Sequence, residues 1–181
     1  NVAKHQGKAN WKCLRNATRG KIDKLGDDGD TLTAQACLTN DVGGKVAKHQ
    51  QRTVDKDLSR CQGIGAPGFA YTGAAAVNLA ASGTARAVVE SLFGADLDAA
   101  VVDWDVDRDG AKCQAEVLKS ANRIVDDMWV VGRKAVRDGL KGRKRRAGAA
   151  DDLAAHSRDN LNGELLAHLL EDAKGKIAGE V

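Results

Sequence analysis

Apolar residues along this chain recur mostly at spacings of three and four, the period of a helix with one buried face. Trp11, Leu14, Thr18, Ile22 and Leu25 form such a stripe and predict a first helix from near Val2 to Leu25, ended by the run Gly26, Asp27, Asp28, Gly29 and Asp30. A short second helix is expected from Thr31 to Asn40, capped by Asp30 or Thr31 and stopped near Gly43 and Gly44. A third, at about 45–62, carries Val46, Val54, Leu58 and Cys61. The most sustained pattern lies at about 111–141: Val117, Ala121, Ile124, Met128, Val131 and Ala135 make one stripe, which Leu118, Val125 and Val136 widen. Met128 and Trp129 read there as packing residues. A last helix is expected at about 160–179 from Leu161, Leu165, Leu169, Ala173 and Ile177. Between the third and the long helix the chain is rich in Gly and Ala, with shorter helices expected at 74–81, 84–92 and 95–103.

Composition supports an all-α fold. Hydrophobic residues make up 43% of the 181-residue chain but aromatics only 3%, so the core is built mainly of Ala, Val and Leu, and small side chains let helices approach closely. The single proline, Pro67, leaves long stretches free of helix breakers. One compact domain is expected, organised as a first helical unit (1–62), a Gly/Ala-rich segment of short helices (63–110) and the long helix with a second unit (111–181). The 28 basic and 25 acidic residues are too balanced to imply nucleic acid or a membrane surface. The uncharged run from Cys61 to Ala85 is interrupted by Pro67, Asn78, Ser82 and several glycines, and Ala and Gly carry too little transfer free energy to hold it in lipid. No signal peptide is visible and Asn1 is not an initiator Met, so a processed product is expected.

The chain also echoes itself. Ala36-Cys37-Leu38-Thr39-Asn40-Asp41-Val42-Gly43-Gly44-Lys45-Val46-Ala47 matches residues 167–178 at Ala36/Ala167, Leu38/Leu169, Asp41/Asp172, Gly44/Gly175, Lys45/Lys176, Val46/Ile177 and Ala47/Ala178. Upstream, Cys13 to Gly20 aligns with Ala135 to Gly142, and the pentapeptide Val-Ala-Lys-His-Gln occurs at both 2–6 and 46–50. Two copies of one helical unit are expected. In the second copy Cys13 becomes Ala135 and Cys37 becomes His168. Joint loss is the behaviour of a bonded pair, which favours Cys13–Cys37 and leaves Cys61–Cys113. Free thiols are the alternative; a zinc site lacks the paired ligand spacing it needs.

Residues 105–116, Asp-Val-Asp-Arg-Asp-Gly-Ala-Lys-Cys-Gln-Ala-Glu, resemble a single EF-hand calcium loop. On that reading Asp105, Asp107 and Asp109 converge on the cation, the Ala111 carbonyl contributes, Glu116 chelates with both oxygens, and Ca2+ is the one cofactor implied. Lys112 and Cys113 depart from the pattern, and no second loop is present to pair with it. The competing reading is an acidic connection between helices with Asp109 as the cap of the long helix. A basic run, Lys141, Arg143, Lys144, Arg145 and Arg146, is a candidate polyanion contact, against the alternative of a solvated loop that offsets Asp151 and Asp152. It has no interleaved aromatics for base stacking. None of the common hydrolase, zinc-protease, phosphate-loop or dinucleotide motifs occurs, so enzyme readings have no positive support.

Through Lys12-Cys13, Ala36-Cys37-Leu38, Gly44-Lys45-Val46-Ala47-Lys48, Phe93-Gly94-Ala95-Asp96-Leu97-Asp98, Lys112-Cys113-Gln114 and Asp138-Gly139-Leu140-Lys141-Gly142 the chain resembles uncharacterised bacterial exported proteins rich in Ala, Lys and Cys and built of helical repeats. That resemblance implies export and repeats and implies no activity. The resulting expectation is a non-enzymatic, extracytoplasmic helical scaffold or binding module, periplasmic or secreted, that meets a protein partner or its own copies. The alternatives are a small-ligand-binding protein or enzyme with a pocket in the 63–102 segment, and polyanion binding through 141–146.

Overall fold

The computed structural model describes residues 1–22, 32–41, 43–62 and 72–140, with the side chains of Val131 and 135–140 excepted. Six helices account for its regular structure, and no strand occurs among the described residues. They are α1 (Val2–Ala17), α2 (Ala34–Cys37), α3 (Lys45–Arg60), α4 (Gly73–Phe93), α5 (Leu97–Ala100) and α6 (Arg108–Leu140). The chain divides into two compact units, Asn1–Asn122 and Arg123–Val181. The first holds α1 to α5 and the start of α6. In the described part of the second, α6 continues with Ile124 and Val125 half-buried and with Met128 and Trp129 exposed, not packed as their periodicity predicts.

Helix α1 is the centre of the first unit and packs on α2, α3 and α4. Its buried face carries Val2, Gln6, Gly7, Asn10, Cys13 and Leu14, at the three- and four-residue spacing that keeps side chains on one side. Leu14, Leu38, Val89, Leu97 and Leu118 are fully or almost fully buried together in the apolar core, with Trp11 and Ile22 packed against it. The described part of the stripe predicted for this helix, Trp11 to Ile22, therefore faces inward, but the helix ends at Ala17, after which Gly20 (φ 60°) turns the chain in the left-handed region that favours glycine; Leu25 and the run 26–30 lie outside the described residues.

Polar side chains stitch this core together. Gln6 Nε2 donates to the Leu38 carbonyl at 2.9 Å and to Asn10 Oδ1 at 2.9 Å, and Asn10 Nδ2 donates to the Ala85 carbonyl of α4 at 3.0 Å. Asn122 Nδ2 donates to the Gly7 carbonyl at 3.1 Å. A Cβ at Gly7 would lie 2.7 Å from Asn122 Oδ1, so this glycine makes room for the Asn122 amide against α1. Between α3 and α4, Asn78 Nδ2 donates to the Gln50 carbonyl at 3.1 Å. The Asp57 carboxylate of α3 accepts from the Ala74 amide at 3.3 Å, at the start of α4.

Cys13 and Cys37 are joined by a disulfide that ties α1 to α2, with their Cα atoms 5.7 Å apart. The second expected bond is not formed. Cys61, at the C-terminal cap of α3, and Cys113, exposed on α6, are both free. Their pairing followed only from elimination, with no independent sign that the two residues meet.

Local chemistry explains where the helices begin. Thr33 Oγ1 caps α2 by accepting from the Ala36 amide at 3.1 Å, in place of the expected Asp30 or Thr31. Gln35 and Asp98 tie α2 to α5: the Gln35 amide donates to Asp98 Oδ1, and Gln35 Oε1 accepts from the Leu97 amide. The Asp-x-x-Gly-Lys motif is a helix start. Asp41 accepts from the Val46 and Ala47 amides at 2.9 and 2.7 Å, across a turn in which Gly43 and Gly44 hold φ of 91° and 62°. Its echo at 172–176 and the helix expected at 160–179 lie outside the described residues. The two helices expected at 74–81 and 84–92 are one, α4, which passes through Gly83. A glycine inside a helix costs about 1 kcal/mol, and the packing of Ala74, Asn78, Ala85 and Val89 outweighs it.

The inward face of α6 differs from its predicted stripe by about one position. Ala111, Gln114, Ala115 and Leu118 are buried, whereas Val117 is 42% exposed. On α3, Val46 is buried but Leu58 is 53% exposed. Among the described residues no helix is long and apolar enough to cross a membrane.

The two Val-Ala-Lys-His-Gln copies open α1 and α3 and meet in space. His5 and His49 stack with ring centroids 3.9 Å apart and 14° between planes, beside the buried Val2 and Val46. The His5 pKa is lowered from its ordinary 6.5 by burial, then by His49, Lys8 and Lys45. That of His49 is lowered by burial, then by Arg52 and Lys48. The folded state thus binds fewer protons here than the unfolded chain below about pH 6.5. Stability is complete above that pH and declines as pH falls through it toward the folded values. Melting temperatures measured downward from neutral pH should show this decline, and His49→Gln should reduce its slope. Separately, Cys37→Ser should lower stability by about 3 kcal/mol in the chain-entropy account of a loop of this size, read by denaturant unfolding under non-reducing conditions.

Candidate functional site

The segment from Val101 to Asp107 is clamped between the C-terminal end of α1 and the first turns of α6. Gln114 of α6 holds one side of it: its Oε1 accepts from the Val102 amide at 3.1 Å and its Nε2 donates to the Ala100 carbonyl at 2.7 Å. On the other side the Trp104 amide donates to the Thr18 carbonyl at 2.8 Å. These bonds fix Trp104 opposite Trp11, whose Nε1 donates to the Ala115 carbonyl of α6 at 3.1 Å.

Between the two indoles lies an open groove of about 390 Å³. Cations crowd its walls. Arg15 lies over Trp11 at 5.1 Å from the ring centroid, while Arg19, Arg108 and Lys112 lie over Trp104 at 4.7, 5.0 and 5.9 Å. Each distance is within reach of the attraction between a cation and the negative face of an aromatic ring. Lys112 also pairs with Asp109 at 2.9 Å, and Lys119 with Glu116 at 2.9 Å. Arg15 and Arg19, which line the groove, have no carboxylate within 4 Å among the described residues, whereas Arg108 lies over Trp104 outside the lining and its charge acts on Asp109.

Sequence reasoning missed this site: it placed Trp11 on the inward stripe of the first helix and did not link it to Trp104. A signal was present: Trp11, Arg15 and Arg19 follow one another at intervals of four, and so do Trp104, Arg108 and Lys112. The fold pairs them within and across the copies: Arg15 lies over Trp11 of its own copy, Arg108 and Lys112 over Trp104 of theirs, and Arg19 crosses to Trp104.

The proposed calcium ligands occupy other roles. Helix α6 starts at Arg108, the fourth position of the would-be loop, so Ala111 and Glu116 lie within regular helix instead of wrapping an ion. Asp107, not Asp109, caps the helix: its Oδ1 accepts from the Gly110 amide at 2.9 Å. A Cβ at Gly110 would collide with the Asp107 carboxylate, so the glycine serves the cap. Asp105 lies exposed in the preceding turn, with its amide bonded to Asp103 Oδ1 at 2.8 Å. Asp109 pairs with Lys112, whose hydrogen bond and charge hold its carboxyl below the usual carboxylate range. Glu116 pairs with Lys119. No group of three or more metal-ligating side chains occurs among the described residues. The reason is geometric: carboxylates at alternate positions converge only around a loop, and the helix begins too early to leave one.

The remaining candidates are quickly placed. The basic run Lys141, Arg143, Lys144, Arg145 and Arg146 lies outside the described residues, as do residues 63–71 of the suggested Gly/Ala-rich pocket. The groove is built instead from α1, the Val101–Asp107 segment and α6.

Asp107→Ala should cost about 1 kcal/mol and Asp107→Asn close to nothing, because either amide or carboxylate oxygen can cap; urea unfolding of the two variants checks this. No protein-family model, no curated protein and no solved structure matches the chain.

Proposed function

We propose that this chain is a non-enzymatic, extracytoplasmic binding module and that its ligand face is the groove between Trp11 and Trp104. The observation that carries the reading is the pair of guanidinium groups in the groove lining, Arg15 over Trp11 and Arg19 over Trp104, without a carboxylate partner among the described residues. Such groups are positioned in advance, so a ligand meets them with little ordering cost. The carboxylate in the groove lining, Glu116, is paired with Lys119, which leaves binding chemistry and not acid–base chemistry at the site.

The Cys13–Cys37 bond supports an oxidising compartment, where such bonds persist. The Asp-x-x-Gly-Lys echo at 172–176 supports a second helical unit beyond the long helix, started in the same way that Asp41 starts α3. The basic run at 141–146 would add positive charge to the same chain.

Tryptophan fluorescence in a Trp129→Phe background, which removes the indole outside the groove, tests the reading. The probes are benzoate, citrate, inorganic tripolyphosphate and adenosine. At least one should change the emission of the parent and lose that response in Trp104→Ala and in Arg15→Gln/Arg19→Gln. If all four probes leave both emission and melting temperature unchanged, the groove is not a ligand face.

A further inference from the structure

We infer that the groove takes a polyvalent oxyanion, a phosphate or sulfate ester, gripped by the edges of its stacked guanidinium groups and not a flat ring inserted between its indoles. This rests on the reading of the groove as the ligand face and assigns the chemistry of what it holds.

The indoles are already covered. Arg15 lies over Trp11, and Trp104 carries Arg19 and Arg108 within about 5 Å and Lys112 slightly farther away. A nucleobase or other planar ring would have to displace these cations to stack, exchanging one favourable contact for another. Nor can Trp11 swing to clamp a ring, because its N–H is bonded to the Ala115 carbonyl and its helix is held by the Cys13–Cys37 bond. A guanidinium lying over a ring keeps its five N–H donors in its own plane, where they bond sideways. The partner that suits a planar fork of donors is an oxyanion that accepts through two oxygens.

Charge sets the valence. On the α6 wall, Lys112 is offset by Asp109 beside it and Lys119 by Glu116. The excess in the groove lining therefore belongs to Arg15 and Arg19. A single carboxylate would leave part of it uncompensated, whereas a ligand with two or more anionic groups matches it. Size agrees: a groove of about 390 Å³ admits a small molecule or one end of a chain, but not a nucleic-acid duplex.

The test is calorimetric titration of the full chain with inorganic tripolyphosphate, ATP, adenosine, sucrose octasulfate and benzoate. Tripolyphosphate and ATP should bind alike, with affinity that falls as salt rises, and adenosine and benzoate should not bind through the groove. Arg15→Gln/Arg19→Gln should weaken tripolyphosphate about tenfold or more, since charged hydrogen bonds are lost. The conservative Arg15→Lys/Arg19→Lys pair, which keeps charge but not the fork, should fall between the parent and the glutamine variant and serves if the latter does not fold. Lys8→Gln/Lys48→Gln, which removes two exposed cations elsewhere in the first unit, should leave affinity unchanged. Tighter binding of sucrose octasulfate than of tripolyphosphate would identify a sulfate source, and the reverse a phosphate source. Adenosine or benzoate binding that depends on Trp104 and is as tight as tripolyphosphate would overturn the oxyanion assignment while leaving the groove as the ligand face. A loss in Lys8→Gln/Lys48→Gln equal to that in the arginine-to-glutamine variant would show attraction by net charge alone and overturn it as well.

Discussion

Asn10 of α1 has no exposed surface, and both ends of its amide are bonded, to Gln6 on one side and to the Ala85 carbonyl of α4 on the other. The packing of the first unit depends on contacts of this kind. A core poor in aromatics has little large apolar surface to bury, so its helices must come close for their small side chains to contribute. Close approach brings one helix's backbone carbonyls within reach of another's side-chain amides. Leu38, Ala85, Gly7 and Gln50 all lend their carbonyls in this way. Each such bond adds only modestly to stability, about 1 kcal/mol, but a partner removed leaves a buried amide unsatisfied at greater cost. The arrangement therefore specifies register more than it adds strength, and the disulfide between α1 and α2 supplies a constraint that the thin core does not.

The same rule explains what the sequence made legible. Helix existence followed from apolar spacing wherever a stripe was continuous, as for Trp11, Leu14, Thr18 and Ile22, because those residues do pack inward. It misdirected the face of α6 because Gln114 and Asn122 looked like outward residues, yet both turn toward neighbouring backbone. A hydrophobic count cannot detect a buried face made partly of amides. The break expected near Ser82 and Gly83 failed for a related reason: tertiary packing on either side of Gly83 holds α4 continuous where local propensity alone would end it.

Pattern matching had mixed success for equally physical reasons. Joint replacement of Cys13 and Cys37 carries information about a bond between them, and that bond is formed; the other two cysteines were paired by remainder, which carries none. The Asp-rich stretch satisfies a calcium template because helix starts and calcium loops draw on the same residues: acidic side chains to accept amide bonds and glycine to clear space for them. Asp107 and Gly110 show the first use. What separates the two is the length of chain left outside the helix, and the template does not encode it.

The candidate site was hidden because each of its members has an ordinary explanation alone. Arginines on a helix surface are common, and a tryptophan in an apolar stripe is expected in a core. Their joint spacing, an indole followed by cations four and eight positions later, occurs twice, and the fold brings the two copies to face each other across one groove. That meeting is made by backbone bonds from Trp104 to Thr18 and by the Gln114 strap, contacts that no local motif announces. The amide-to-carbonyl stitching that holds the helices together thus also builds the groove. A change at Gln114 would disturb the site without touching any cation that lines it.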